Sequence, residues 1–202
     1  MHVALIGASG NAGARILTEL VNRGHEVSAI ARHPEKIAAG PHVTPLKGDV
    51  FDKDGLAALL KGHDAVISSV HFTASDAATL IDAVRASGVR RYIVVGGAGS
   101  LEVAPGVTLV STPEFPAPYK EEATKGGEFL DLLKKETGLE WTFISPSALF
   151  SPGERTGKFR LGKDQLLTND KGSSISFEDY AIALVDELER PAHVRQRFTV
   201  GY

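Results

Sequence analysis

Short apolar segments alternate along the chain with longer segments in which apolar residues recur every three or four positions. The short segments are rich in β-branched residues and have the pattern of buried strands. They are His2–Ile6, Glu26–Ala31, Val43–Lys47, Asp64–Ser68, Arg91–Val95, Trp141–Ser145 and Arg197–Val200. The longer segments have the spacing of amphipathic helices, namely Asn11–Arg23, Lys53–Lys61, Ala74–Ser87, Pro118–Glu136 and a helix that begins at Phe177.

This alternation predicts an α/β fold. Strands joined by connections long enough for crossovers form a parallel sheet with helices on both faces. Gly24, Gly62 and Gly88 each follow a predicted helix, where a glycine favours its C-terminal cap. Pro45 cannot donate a hydrogen bond to a neighbouring strand, so the third strand is expected near an edge of the sheet.

Residues 146–174 break the rhythm, with clusters of proline and glycine and short strand-like pieces such as Lys158–Leu161. No linker divides the chain, so we expect one domain over residues 1–202 with 146–174 as a substrate-side or lid segment. Beyond it, Ser176 is expected to cap the last helix, and Asp179 lies in the first turn, where the helix dipole favours an acid.

Composition narrows the classes of function. The 202 residues are 43% apolar and 23% charged, which is typical of a folded globular chain. A net charge of −3 gives no basic surface for nucleic acid, and the lack of cysteine excludes thiolate chemistry. The seven histidines have no metal-ligand spacing, so we expect no metal site. No leader-like or membrane-spanning pattern occurs, and we expect a cytoplasmic protein that binds no membrane.

A glycine-rich loop, Gly7-Ala8-Ser9-Gly10-Asn11-Ala12-Gly13, connects the first strand to the first helix. Glycines at this spacing allow a sharp turn, a close approach of the backbone to a pyrophosphate and tight packing of helix on sheet. The helix N-terminus then presents free N–H groups to the phosphates. The loop therefore predicts a dinucleotide site that contains Gly7, Ser9, Gly10, Asn11, Ala12 and Gly13.

The end of the second strand bears on the choice of dinucleotide. NAD sites usually place an acid there, whereas this chain has Arg32, which can pair with a 2′-phosphate. We therefore favour NADP, with NAD as the alternative. Asp49 and Val50 follow the third strand and are expected at the adenine, although a plain turn aspartate fits Asp49 almost as well.

Taken together, these residues resemble the atypical short-chain dehydrogenase/reductases, and within them the NADH-flavin reductase group, relatives of biliverdin-IXβ reductase and of NmrA-like proteins. The strings that carry the resemblance are the glycine loop, Arg32, Gly48–Val50, Gly96–Ser100, Trp141–Pro146, Pro152–Gly157 and Phe177–Ala181.

The resemblance implies a Rossmann-type doubly wound sheet of about seven parallel strands in the order 3-2-1-4-5-6-7. It also implies that Ser69, Val70 and His71 lie along the nicotinamide ribose and that Pro146 flanks the nicotinamide.

The catalytic pair of the standard members is broken. In those members a tyrosine donates a proton to the substrate carbonyl, and a lysine four residues later lowers the pKa of that tyrosine and holds the ribose. Tyr119 is in roughly the right place, but Ala123 stands where the lysine belongs. This favours hydride transfer to an acceptor that needs little acid catalysis, such as a flavin or a quinone. His71 and Tyr119 are candidate catalytic residues, and each is also compatible with an ordinary loop or rim position.

Two functions remain open. The first is an NAD(P)H-dependent reductase of a flavin, quinone or similar planar acceptor, acting as a monomer or homodimer on a small molecule. The second is an NmrA-like redox sensor that binds the dinucleotide and acts through a protein partner. A sugar-nucleotide or isoflavone-type reductase fits less well, because the chain leaves little room for a substrate domain.

Overall fold

Strands and helices alternate in the structure, a computed structural model that describes residues 1–202. The strands are β1 (His2–Ile6), β2 (Glu26–Ala31), β3 (Val43–Lys47), β4 (Ala65–Ser68), β5 (Arg91–Val95), β6 (Glu102–Ala104), β7 (Val107–Thr108), β8 (Glu140–Pro146), β9 (Leu149–Ser151), β10 (Arg160–Gly162), β11 (Ser174–Ser176) and β12 (Gln196–Gly201). The α-helices are α1 (Asn11–Asn22), α2 (Lys53–Leu60), α3 (Ala77–Ser87), α4 (Lys120–Lys135) and α5 (Phe177–Glu189).

The central sheet has eight strands in the order β10-β12-β8-β5-β4-β1-β2-β3. Seven of them are parallel and follow the predicted order, which confirms the doubly wound fold. The eighth strand, β10, pairs antiparallel with β12 and extends the predicted sheet by one edge strand. At the opposite edge lies β3, where Pro45 needs no partner on its outer side, as predicted.

The sheet is covered on both faces. Leu5 and Ile67 face a core that also contains Leu20 of α1 and Leu184 of α5. The alternate strand residues face a second core, which is completed by α2, α3 and α4. Because both faces are buried, ligands can reach the sheet only at its ends.

Two helices begin later than their sequence pattern predicted. The third begins at Ala77 because Asp76 caps it, accepting a hydrogen bond from the backbone N–H of Thr79, and residues 72–74 form a separate 3₁₀ turn. The fourth begins at Lys120, after a 3₁₀ turn over 117–119. On α4, Phe129, Leu130 and Leu133 are buried against the sheet, whereas Leu132 is 39% exposed.

None of the five helices combines the length and the hydrophobicity that a membrane crossing requires.

Candidate active site

A cleft of about 420 Å³ opens at the carboxyl ends of β1, β2, β4 and β5. In open α/β sheets, ligands bind at this edge, where the strand order reverses on either side of the first strand. Its lining consists of Ile6, Gly7, Ser9, Gly10, Asn11, Ala12, Ile30, Ala31, Arg32, Gly48, Val50, Ser69, Val70, His71, Phe72, Ala74, Val95, Gly96, Glu122, Phe150 and Phe177.

The glycine loop forms the middle of the cleft. Gly7 has a φ of +82°, and a Cβ there would lie 2.0 Å from the carbonyl oxygen of Ser69. A Cβ on Gly13 would lie 2.1 Å from the carbonyl oxygen of Gly7, so Gly13 sits beneath the loop and supports it without lining the cleft. No side chain caps α1, which leaves its first amides available to a ligand. Backbone and dipole together fit a pyrophosphate.

Arg32, Gly48 and Val50 line one end of the cleft, beyond the carboxyl ends of β2 and β3. Arg32 is exposed. Asp49 does not line the cleft: its carboxylate accepts a hydrogen bond from the backbone N–H of Phe51 at 2.9 Å within a turn. At this end, the predicted contacts Arg32 and Val50 are therefore brought together, and Asp49 faces elsewhere.

The other end of the cleft is largely apolar. Ser69, Val70 and His71 follow β4 there, and Phe150 and Phe177 form an aromatic wall. The two phenylalanine rings meet edge to face, with their centroids 4.5 Å apart. Such a wall supplies flat apolar surface and excludes water.

The two candidate catalytic residues are separated by the structure. His71 lines the cleft, but Tyr119 is 66% exposed at the start of α4 and lies outside the lining. Pro146 is also outside the lining: it is buried at the end of β8, paired with Val200 of β12.

One residue that the sequence analysis missed is Glu122, in the first turn of α4. Its carboxylate accepts hydrogen bonds from the backbone N–H groups of Phe72 and Thr73 and from the Thr73 hydroxyl, each at 2.8 Å. Burial raises the pKa of the Glu122 carboxyl, but these hydrogen bonds outweigh it and hold the pKa below its ordinary value. Glu122 is therefore ionised at neutral pH.

The sequence held one indirect signal of this contact. Gly126 is an unusual residue inside a helix, and a Cβ there would lie 2.9 Å from the ring of Phe72. The glycine thus marks the place where the turn after β4 docks on α4.

Asp179 has a larger role than the predicted interaction with the helix dipole. It is fully buried and accepts hydrogen bonds from the N–H groups of Thr156 and Gly157, from the Thr156 hydroxyl and from the Tyr202 hydroxyl, at 2.6–2.8 Å. Burial raises the pKa of the Asp179 carboxyl, but these hydrogen bonds lower it by a larger amount. The pKa therefore lies below its ordinary value. Ser176 caps α5 as predicted, accepting from the N–H of Asp179.

Known proteins resemble this chain over its whole length. A family profile described as NAD(P)H-binding matches residues 7–191. The chain belongs to this NAD(P)H-binding family. It is 44% identical to the uncharacterized protein YwnB of Bacillus subtilis, covering 99% of this chain and 98% of that protein.

Solved structures extend the likeness. A protein described as a putative epimerase from Bacteroides thetaiotaomicron superposes with a TM-score of 0.95 at 45% identity, over 100% of this chain and 96% of that one. A putative NADH-flavin reductase from Streptococcus pneumoniae gives a TM-score of 0.79 at 38% identity, over 100% and 99% of the two chains. The predicted resemblance to the atypical short-chain dehydrogenase/reductases is confirmed, and the fold is that of an NAD(P)-binding oxidoreductase.

Proposed function

We propose that this protein is an NAD(P)H-dependent reductase that passes hydride to a flavin, a quinone or a similar planar acceptor, with NADPH as the preferred donor. The observation that carries the proposal is the cleft itself. A phosphate cradle at its middle is continuous with an apolar aromatic wall beyond the ends of β4 and β5. One end of this cleft suits a dinucleotide, and the other suits a flat conjugated ring.

The cofactor would be held mainly by backbone. The loop from Gly7 to Gly13 and the first amides of α1 bind the pyrophosphate, and Ser69 and Val70 flank the nicotinamide ribose. Arg32 pairs with the 2′-phosphate, and Val50 packs on the adenine. When bound, a reduced nicotinamide supplies the hydride, and the protein supplies position and a dry environment.

The aromatic wall supports a planar acceptor. Phe150 is only half-buried and packs on both Phe177 and Tyr180, with ring centroids 4.5 and 4.7 Å away. A flat ring laid against this cluster gains apolar and stacking contact. The 38%-identical protein from Streptococcus pneumoniae is described as a putative NADH-flavin reductase, and that description agrees with such an acceptor.

A standard alcohol dehydrogenase is not supported. Its chemistry needs a tyrosine and a lysine facing the substrate, whereas Tyr119 is 66% exposed outside the cleft and position 123 is alanine. The same observation favours the second candidate, a redox sensor that binds the dinucleotide without turning it over.

Turnover separates the two candidates. We would follow NADPH and NADH oxidation by absorbance with FMN, FAD and the quinone menadione, and titrate each cofactor by calorimetry. The reductase predicts oxidation of NADPH with at least one acceptor. Tight binding of both cofactor forms without turnover would support the sensor, and no binding would contradict both.

A further inference from the structure

The apolar end of the cleft contains one pair of titratable side chains. Of all residues that line the cleft, only Arg32, His71 and Glu122 carry charge or titrate. Arg32 lies at the opposite end, beyond β2. Among the residues that line the cleft, His71 and Glu122 are therefore the two candidates for exchanging a proton with a molecule at the aromatic wall.

Glu122 is suited to hold a proton donor in position, and it is not suited to donate a proton itself. Its two carboxylate oxygens already accept three hydrogen bonds from residues 72 and 73, and these keep it ionised. The Oε1 atom also lies 3.4 Å from Nδ1 of His71. A fixed negative charge at this distance orients the imidazole, with Nδ1 towards the carboxylate.

His71 is suited to deliver a proton. Its Nδ1 faces Glu122, its Nε2 has no partner in the protein, and its side chain is 85% exposed. Its backbone is nevertheless fixed, because the carbonyl oxygen accepts from the Ser75 hydroxyl at 2.8 Å. The next residue, Phe72, is buried against Phe129, with their ring centroids 5.7 Å apart. The imidazole is thus attached to a rigid turn at the lining of the cleft, and its outer nitrogen makes no contact that would hold it away from a ligand.

We propose that His71 donates a proton from Nε2 to the oxygen of a quinone-type acceptor, and that Glu122 is the positioning residue that holds the imidazole for this step. This inference rests on the proposed reductase function and names its acceptor class. A bound NADPH would supply one hydride, that is two electrons and one proton, so that the nicotinamide would be oxidised and the acceptor reduced. The acceptor oxygen that gains negative charge takes the proton as the Nε2–H bond breaks, and solvent returns a proton to the exposed imidazole.

The acceptor class follows from the demand for that proton. Hydride transfer to a quinone leaves an anionic oxygen that must be protonated to give the neutral quinol. Hydride transfer to a flavin gives a reduced anion that is stable near neutral pH without a further proton. The dyad of His71 and Glu122 is therefore expected to accelerate quinone reduction and to leave flavin reduction almost unchanged.

The test compares His71→Gln, Glu122→Gln and the double variant with menadione and with FMN as acceptors, at saturating NADPH. Glu121→Gln is the matched control, because Glu121 is the neighbouring acid of α4, is exposed and pairs only with Lys125. Calorimetric titration of NADPH checks that each variant still binds cofactor.

We expect His71→Gln to lower kcat with menadione by about 100-fold, the lower end of the range for general acid catalysis. Glu122→Gln is expected to lower it by about tenfold, because Glu122 acts only by holding the imidazole of His71. With FMN, both changes are expected to stay within about threefold. If Glu122 acts through His71, Glu122→Gln has no further effect in the His71→Gln background. The control is expected to match the wild type with both acceptors.

Each of the other outcomes leads to a different conclusion. An unchanged kcat for His71→Gln with menadione, or wild-type turnover of FMN but not of menadione, would overturn the proton donor while leaving the reductase intact. If Glu122→Gln lowers kcat by the same factor in the wild-type and His71→Gln backgrounds, Glu122 supports the turn at residues 72–74 and does not act through His71. No turnover of either acceptor by the wild type would overturn the reductase and the dyad together. If Glu122→Gln fails to fold, the menadione-to-FMN contrast of His71→Gln, which alters an exposed side chain, decides the proposal alone.

Discussion

Arg155, in the loop after β9, donates two hydrogen bonds of 2.9 Å to the carboxylate of Glu19 on α1. Glu19 is only 3% exposed, although it is a charged residue on a helix. The contact attaches residues 152–157 to the helix that begins at the glycine loop. Gly153 strengthens it, because its N–H donates to Glu178 of α5 at 2.9 Å. Any lid movement of these residues must first break this set of contacts.

Arg155→Ala is expected to lower the free energy of unfolding by about 1–3 kcal/mol, because it removes a charged donor from a buried carboxylate. Arg23 still contacts Glu19 at 2.9 Å, which prevents a larger loss. Urea denaturation measures the effect. Arg90→Ala, which breaks a surface pair with Glu140, is the control and should cost less than about 1 kcal/mol. Equal losses for the two variants would show that the Arg155 contact adds nothing beyond a surface pair.

The same buried acids predict how stability depends on pH. The hydrogen bond from Arg155 lowers the pKa of Glu19 below its ordinary value of 4.5, against the opposing effect of burial. The pKa of Asp179 also lies below its ordinary value of 3.8. A carboxyl whose pKa is lower in the folded state stabilises the fold above its unfolded pKa, and that contribution is lost as pH falls through the folded pKa.

Stability is therefore expected to be constant with respect to these two groups near neutral pH and to fall below about pH 4.5, the ordinary value for Glu19. Urea titrations between pH 7 and pH 3 measure this slope. The variant Asp179→Asn removes one of the two groups and should flatten the acid limb. A slope identical to that of the wild type would contradict the role given to Asp179.

Local signals predicted the fold well. Apolar periodicity located all seven parallel strands, and Pro45 correctly marked an edge. What the pattern could not supply was the capping of helices by residues outside them: Asp76 sets the start of α3, and the 3₁₀ turn over 117–119 delays α4. The starts of α3 and α4 depend on hydrogen bonds, which the spacing of apolar residues does not reveal.

The candidate site was predicted less evenly. The glycine loop is a contiguous motif, and its residues do line the cleft or lie directly beneath it. Glu122 was missed because its contact with the turn at Phe72 joins residues about 50 positions apart in the chain. Tyr119 was singled out by analogy with a family motif, and its exposure outside the cleft depends on how α4 begins. Long-range packing decides such positions, and one sequence does not reveal it.

Arg32→Ala tests the preference for NADPH. If the guanidinium pairs with the 2′-phosphate, the variant loses a charge-assisted hydrogen bond, and NADPH binding weakens by about 1–3 kcal/mol. NADH binding is expected to change little, because NADH lacks that phosphate. Calorimetric titration of both cofactors measures the difference. Arg90→Ala removes an equal charge near the amino-terminal edge of the sheet and should affect neither. Equal weakening of the two cofactors would remove the basis for the NADP preference.

Gly7→Ala and Gly24→Ala form a matched pair that tests the cradle. Both glycines have left-handed backbones, with φ of +82° and +79°. Around Gly24 no atom lies within 4 Å of an added Cβ, so its variant should cost only the strain of that conformation, about 1–2 kcal/mol. At Gly7 the added Cβ would lie 2.0 Å from the Ser69 carbonyl oxygen and would force β1 and β4 apart at the point where the cofactor is expected.

Thermal unfolding and calorimetric titration with NADPH measure the effects of Gly7→Ala and Gly24→Ala on stability and on cofactor binding. Gly24→Ala is expected to bind NADPH like the wild type, whereas Gly7→Ala should be less stable than Gly24→Ala and bind at least tenfold more weakly, a difference of about 1.4 kcal/mol. Wild-type affinity in a folded Gly7→Ala variant would mean that the loop does not hold the dinucleotide.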